Sequence, residues 1–166
     1  MKIFAILSAI LLLSGCGLQT EVWETVEDPI SVSSEAEPIY DINIGLPEAA
    51  LTDTAEHCCR YETESLQVET SSFFATDLND AVLYLTGFEA EKLTILQTGR
   101  FGLPEYQFAW YSQTEEGGRL YRADLLMDGM TCYAVVCSYA EDAGENAWDE
   151  ACGVFSAFGL SPIEAV

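Results

Sequence analysis

Residues 121–136 read YRADLLMDGMTCYAVV, and this stretch decides the fold. The pair Asp128-Gly129 is typical of a two-residue β-hairpin, because a type I′ turn needs positive φ at both central residues. Apolar side chains alternate on both sides of the turn, so each strand has one apolar face. With this turn the apolar face holds the following residues: Tyr121, Ala123, Leu125, Met127, Met130, Cys132, Ala134 and Val136.

The preceding strand extends the same face. Gly117-Gly118 predicts a second two-residue turn, which sets Trp110 opposite Leu125 and Phe108 opposite Met127. Shifting this loop by one residue would set Trp110 against Asp124, so the apolar pattern selects the register. The opposite face is mixed: Ala109, Tyr111, Leu120, Arg122, Asp124, Leu126, Tyr133 and Val135. Because the mixed face keeps leucine and valine, we expect helices on both faces of the sheet.

Two helices are predicted around this meander. The first begins at the N-cap residue Asp77, ends at Gly87, and has an apolar stripe at helical spacing. The second is predicted over residues 141–158 and is ended by Gly159. The two stripes are Leu78, Ala81, Val82 and Leu85, and then Trp148, Ala151, Cys152 and Phe155.

Strands are also predicted before the first helix. Tyr40, Ile42 and Ile44 alternate with polar residues, and residues 58–74 contain further strand. The sequence therefore predicts an α+β fold, in which an antiparallel sheet meander is flanked by helices.

The order of these elements resembles the PsbP/Mog1-like α/β/α sandwich over residues 39–161. The resemblance rests on Leu85-Thr86-Gly87-Phe88, Leu93-Thr94-Ile95, Phe108-Ala109-Trp110, the Asp128-Gly129 hairpin and Phe155-Ser156-Ala157-Phe158. It implies a mostly non-enzymatic protein that binds other proteins as an assembly or accessory factor, and some members are bacterial lipoproteins. It supplies no site residues, since a fold does not fix a function.

The N-terminus predicts a signal peptide. Lys2 precedes an apolar run from Ile3 to Leu13, which as a helix spans about 16 Å, short of the roughly 30 Å hydrocarbon core. Leu13-Ser14-Gly15-Cys16 resembles the lipobox of bacterial lipoprotein precursors. The resemblance implies cleavage before Cys16 and acyl chains, such as palmitate, on this cysteine, which would anchor the protein to the extracytoplasmic face of the membrane. The alternative is a plain secretory signal with an incidental Cys16.

We therefore expect three segments: a signal peptide over 1–15, an acidic flexible tether over 16–38, and one globular domain over 39–166. The tether holds six carboxylates and no lysine or arginine, together with Pro29 and Pro38: Glu21, Glu24, Glu27, Asp28, Glu35 and Glu37. Such a segment buries too little apolar surface to fold alone. The alternative is a docking peptide, whose anchors would be Val22, Trp23 and Val26.

Charge restricts the partners. The 166 residues include 28 Asp and Glu against 6 Lys and Arg, a net charge of −22. This balance excludes a nucleic-acid binder, because binding requires neutralisation of phosphates. It favours a cationic protein partner and an association rate that falls with salt.

Five cysteines follow Cys16, and outside the cytoplasm an odd number leaves at least one thiol unpaired. Cys132 and Cys137 are five residues apart on one strand, about 16 Å, so they cannot bond to each other. The best candidate is a disulfide from Cys58 or Cys59 to Cys132 or Cys137, although other pairings stay open. Cys152 is predicted to remain a buried thiol. The alternative is that most of these cysteines are small core residues.

The sequence offers no assembled reactive site. It contains no Cys-x-x-Cys pair, and His57 beside Cys58 and Cys59 lacks the spacing of a zinc site. We expect no metal, no cofactor and no enzyme activity. The predicted function is that of a lipid-anchored binding or accessory module for an envelope protein. The alternatives are a thiol-based redox protein and a lipoprotein that binds a small ligand or a cation.

Overall fold

The computed structural model describes residues 39–47, 50–114 and 117–163. The predicted signal peptide, Cys16 and the tether lie outside the described residues. The described strands are β1 Tyr40–Asn43, β2 Leu51–Ala55, β3 Cys58–Glu62, β4 Gln67–Phe74, β5 Ile95–Arg100, β6 Leu103–Thr114, β7 Gly117–Asp128, β8 Thr131–Ala140 and β9 Gly159–Pro162. The helices are α1 Leu78–Thr86 and α2 Gly144–Ala157, with a 3₁₀ turn at Ala90–Lys92.

Seven strands form one antiparallel sheet in the order β2-β3-β4-β8-β7-β6-β5, and β1 pairs with β9 separately. The helices lie on opposite faces of this sheet. On one face Ala81 and Val82 of α1 share a buried cluster with Leu125, whereas on the other Phe155 of α2 shares one with Leu126. Adjacent strand residues point to opposite faces. The predicted α+β meander between helices is therefore confirmed.

The register of the β7–β8 hairpin differs from the prediction. Asp128 pairs with Thr131 and Met127 with Cys132, so the turn residues are Gly129 and Met130. Only Gly129 has positive φ, 61°, the pattern of a type II′ turn and not of type I′. Because the pairing moved by an even number of residues, the predicted faces of both strands are preserved.

The predicted Gly117-Gly118 turn is also wrong, because the pairing of β6 with β7 is shifted by an even number of residues. Thr114 pairs with Gly117, and Gly117 begins β7, while residues 115–116 lie outside the described residues. Trp110 lies opposite Tyr121, not Leu125. The apolar alternation allowed both registers, because they differ by an even number of residues and leave each side chain on the same face.

Helix α1 begins and ends as predicted. Asp77 caps it by accepting a hydrogen bond from the Asp80 amide at 2.9 Å, and Gly87 ends it with φ 74°. Helix α2 begins later than predicted, because Gly144 has φ 78° and an α-helix that starts at Glu141 cannot run through this residue. The side chain of Trp148 is 49% exposed and not part of the buried stripe.

Four strand details were not predicted: β2, β5, β9, and the pairing of β1 with β9 outside the main sheet. β2 is exposed along its whole length and β9 has only four residues, so neither has a clear apolar alternation. In the described part of the chain, no helix is both long enough and apolar enough to span a bilayer.

Candidate functional site

Helix α1 covers only part of its face of the sheet. Its nine residues reach about 14 Å, whereas a twelve-residue strand such as β7 reaches about 40 Å. The uncovered part forms an open groove of about 570 Å³ beside α1. Its lining comes from β2, β3, β4, β6, β7, β8 and α1: Thr52, Arg60, Tyr61, Glu62, Gln67, Val68, Glu69, Tyr84, Leu85, Trp110, Tyr121, Val136 and Ser138.

Aromatic rings form one side of this groove. Trp110 and Tyr121 are directly opposite on β6 and β7, and their rings stack with centroids 5.1 Å apart and planes 12° apart. Tyr84 on α1 stacks on Phe73 at 4.2 Å and is 66% exposed. Large rings held by stacking lose little conformational entropy when a partner binds them.

Polar side chains form the other side. Arg60 Nε donates to Glu69 Oε2 at 3.0 Å across β3 and β4. Arg119 Nη2 donates at 3.1 Å to Gln67 Oε1 and to Ser138 Oγ, and both acceptors line the groove. The hydrogen-bonding groups at the groove are therefore held in place by their own partners.

Charges at the groove balance, unlike those of the whole chain. Arg60, Glu62 and Glu69 line the groove, and Arg119 donates to the lining residues Gln67 and Ser138, whereas the sequence has 28 acidic and 6 basic residues. The groove is thus a nearly neutral, aromatic and polar surface within a strongly negative molecule.

Sequence reasoning placed Trp110 and Tyr121 on an apolar face without predicting that this part of the face is open. The available signal was length: the predicted first helix is too short to cover strands that continue to residue 110 and beyond.

The structure places the predicted cysteines in three regions. Cys152 on α2 is half-buried and not fully buried as predicted. Cys58 and Cys59 are half-buried on β3, and Cys132 and Cys137 are buried on β8. The last two face opposite sides of the sheet, as predicted: Cys132 belongs to the α1 cluster and Cys137 to the α2 cluster.

The proposed disulfide between β3 and β8 is not formed in this fold, and all five thiols are free. Strand β4 lies between β3 and β8, so two strand spacings, about 10 Å, separate the backbones. A disulfide requires Cα atoms within about 7 Å. The local sequence pattern does not show that β4 lies between these two strands.

Burial makes three of the thiols poor nucleophiles. It raises the pKa of Cys132 and of Cys137 to about 12. Burial, followed by the charge of Glu69, also raises the pKa of Cys58. Since the thiolate is the reactive form, these environments oppose thiol chemistry. Cys152 accepts a hydrogen bond from Arg122 Nη1 at 3.6 Å.

His57 lies in the turn between β2 and β3, with φ 60°. It lines an open cavity of about 410 Å³ together with Cys58 and Cys59, and its Nε2 lies 3.8 Å from Glu56 Oε1. Among the residues described, no three histidine, cysteine, aspartate or glutamate side chains are grouped so that they could hold a metal ion.

No protein-family model and no curated protein sequence matches this chain. Several solved structures are similar in fold. LpqN of Mycobacterium tuberculosis, involved in cell envelope biogenesis, has a TM-score of 0.48 and 11% identity over 74% of this chain and 84% of its own. Cyanobacterial PsbP of Synechocystis sp. PCC 6803 has a TM-score of 0.45 and 13% identity over 63% and 73%.

A third structure comes from Bacteroides thetaiotaomicron VPI-5482. Its TM-score is 0.45 and its identity 10%, with 69% of this chain covered. The match spans only 41% of that protein. At these identities the likeness concerns the arrangement of strands and helices alone.

Proposed function

We propose that this protein is a lipid-anchored extracytoplasmic binding module that holds another envelope protein in the groove beside α1, without catalysing a reaction. The observation that carries this proposal is the exposed aromatic side of the groove. Tyr84 is 66% exposed although it is a large aromatic residue. Exposed aromatic groups held rigidly beside ordered polar groups are typical of protein-binding surfaces.

The residue types of the groove favour a protein partner. Tryptophan, tyrosine and arginine are the residues that contribute most often to binding energy at interfaces. Trp110, Tyr121 and Arg60 all line this groove. Arg60 is already paired with Glu69. A partner that covers Arg60 would therefore not leave its charge without a counter-ion.

The charge of the chain supports a cationic partner. The neutral groove contacts the inserted segment, while the surrounding field of a chain with net charge −22 attracts positive charge at a distance. Association would then slow as ionic strength rises, because salt screens charges beyond about 10 Å.

The lipid anchor and the tether complete the proposal. Acylation at Cys16 would hold the protein at the membrane, and residues 16–38 would let the domain reach a neighbouring envelope protein. Thiol-based redox chemistry has less support, because burial raises the pKa of Cys58, Cys132 and Cys137.

Photo-crosslinking in intact cells tests this function. The photoreactive residue p-benzoylphenylalanine replaces Tyr84 in the groove or, as a control, Tyr111. Tyr111 is an exposed aromatic residue on the same strand as Trp110, but on the opposite face. We expect one discrete adduct with an envelope protein from position 84 and none from position 111. No adduct from position 84, or equal adducts from both positions, would refute the groove as the binding site.

A further inference from the structure

Two buried carboxylates share a single guanidinium on the α2 side of the sheet. Glu105 on β6 is 4% exposed and Asp124 on β7 is fully buried. Arg100 Nη2, from β5, lies 2.7 Å from Glu105 Oε1 and 3.2 Å from Asp124 Oδ2. Two nearly buried negative charges therefore face one positive charge, and such a site disfavours the second negative charge.

One oxygen of this cluster has no partner. Among the residues described, Asp124 Oδ1 is the buried side-chain oxygen or nitrogen without a hydrogen bond. Asp124 and Glu105 are hydrogen-bonding neighbours, so a proton on Asp124 would let its carboxyl group donate to Glu105. Burial, followed by the charge of Glu105, raises the pKa of Asp124 to about 7. Burial opposes ionisation of Glu105 as well, but the Thr98 hydrogen bond and the Arg100 charge leave its pKa lowered.

The same arginine also holds the end of α2. Arg100 Nη1 donates at 3.1 Å to the backbone oxygen of Phe155 and at 3.1 Å to that of Phe158. These carbonyls belong to the C-terminal end of the helix, where a positive charge is favourable. Arg100 thus connects the β5–β6 hairpin, the carboxylate pair and the helix end.

We propose that Glu105 and Asp124 form a proton-binding site that works as a pH-sensitive latch between the β5–β6 hairpin and the C-terminal end of α2. With one proton bound, one negative charge faces Arg100, and Asp124 donates to Glu105. The guanidinium is then free to hold both carbonyls. This latch is independent of the proposed groove, which lies on the opposite face of the sheet.

Release of the proton to solvent changes these contacts. The O–H···O hydrogen bond is lost, and the two carboxylates repel each other while they compete for Arg100. The guanidinium is drawn towards them and its hold on the α2 carbonyls weakens. A cavity of about 240 Å³ lined by Asp124, Gln107, Arg122 and Phe155 lets water reach the site.

Among the residues described, the charged groups that lie beside Asp124 are Arg100, Glu105 and Arg122. β5 contributes Arg100, and β6 contributes Glu105 and the neutral Gln107, whose Nε2 lies 3.4 Å from Asp124 Oδ2. On β7 itself the nearest charge on this face is Arg122. Helix α2 presents backbone carbonyls to Arg100. The titration therefore belongs to the carboxylate pair.

The test follows the side-chain carboxyl carbon of Asp124 by NMR in the full chain in detergent, together with amide exchange at pH 5.5 and 8.5. We expect a titration midpoint near 7, and at least tenfold lower protection, corrected for intrinsic exchange, in the last turn of α2 at pH 8.5. Asp124→Asn should remove this pH dependence. Asp128→Asn, an equal change of charge on the same strand, should leave it.

Two results would overturn the latch: an Asp124 midpoint below 5, or equal protection of the α2 end at both pH values. If Asp124→Asn does not fold, the titration of the unchanged protein still decides between these outcomes.

Discussion

The guanidinium carbon of Arg122 lies 4.2 Å from the centre of the Trp148 ring, so a charge on the sheet is covered by an aromatic side chain of α2. The same guanidinium lies 4.9 Å from the Phe155 ring centre. This contact explains why Trp148 is half-exposed although it follows the helical apolar spacing. The ring covers a cation at the edge of the core and does not enter the core itself.

Removal of this arginine should destabilise the domain. We expect Arg122→Ala to lower the free energy of unfolding by about 1–3 kcal/mol, because it deletes two cation–π contacts and the buried stem of the side chain. Urea denaturation measures the change. Lys92→Ala is the matched control, since Lys92 forms an exposed ion pair with Glu89 worth about 0.5 kcal/mol. Equal effects of both variants would contradict the packing role of Arg122.

Stability should fall as the pH rises through 7. The pKa of Asp124 is about 7 in the folded chain against 3.8 as a free side chain, so the folded state binds more protons between these values. The contribution of the Asp124 proton to the free energy of unfolding is complete below pH 4 and is lost as the pH rises through 7. Each unit of pKa shift is worth about 1.4 kcal/mol, so we expect a decrease of up to about 4 kcal/mol between pH 4 and 8. Glu105, whose pKa is lowered, contributes in the opposite direction and below pH 4.

Asp124→Asn should abolish most of that pH dependence and stabilise the chain at pH 8.5 by about 1–3 kcal/mol, because the amide mimics the neutral carboxyl group. Thermal unfolding across pH 4–9 provides the measurement. Glu105→Gln should instead move the pH at which stability falls to a lower value, since Asp124 would then face Arg100 without a second carboxylate. An unchanged profile in both variants would contradict the role of this pair.

Thiol labelling should divide the cysteines into two classes. We expect a maleimide at pH 7 to label the half-buried Cys59 and Cys152 in the native chain, and Cys58 more slowly because burial and Glu69 raise its pKa. The buried Cys132 and Cys137 should stay unlabelled. Mass spectrometry of the labelled peptides shows the pattern. All five should react after denaturation without reductant. Two cysteines that resist labelling even then would reveal a disulfide, as the sequence alone suggested.

Tyr84→Ala should weaken binding of the captured partner by about tenfold or more, because an exposed ring in a central groove is a typical site of concentrated binding energy. Its effect on unfolding should stay within about 1 kcal/mol, since only the stack on Phe73 is lost. Titration calorimetry with the purified partner measures the affinity, and Tyr111→Ala serves as the control. Equal loss of affinity in both variants would move the binding surface away from the groove.

Cys16→Ala should release the protein from the membrane. Without Cys16 the lipobox holds no sulfur that could carry acyl chains, so attachment of the protein to the membrane should weaken. Membrane fractionation and mass spectrometry of the mature N-terminus test this. An unmodified Cys16 in the native protein would disprove the anchor.

The sequence determined which side chains share a face of the sheet, because alternation along a strand has a period of two and survives any even shift of register. It predicted the two helices, the Asp77 cap and the Gly87 end for equally local reasons. Both hairpin registers were wrong, but Trp110, Tyr121 and Leu125 still lie on one face.

Only the tertiary structure decided how far α1 covers that face and which distant residues meet on the other. Arg100, Glu105 and Asp124 belong to three different strands, and each alone reads as an ordinary polar residue in the sequence. Their meeting depends on strand order and on where α2 ends. Those properties result from packing between segments far apart in the chain, for which local periodicity carries no information.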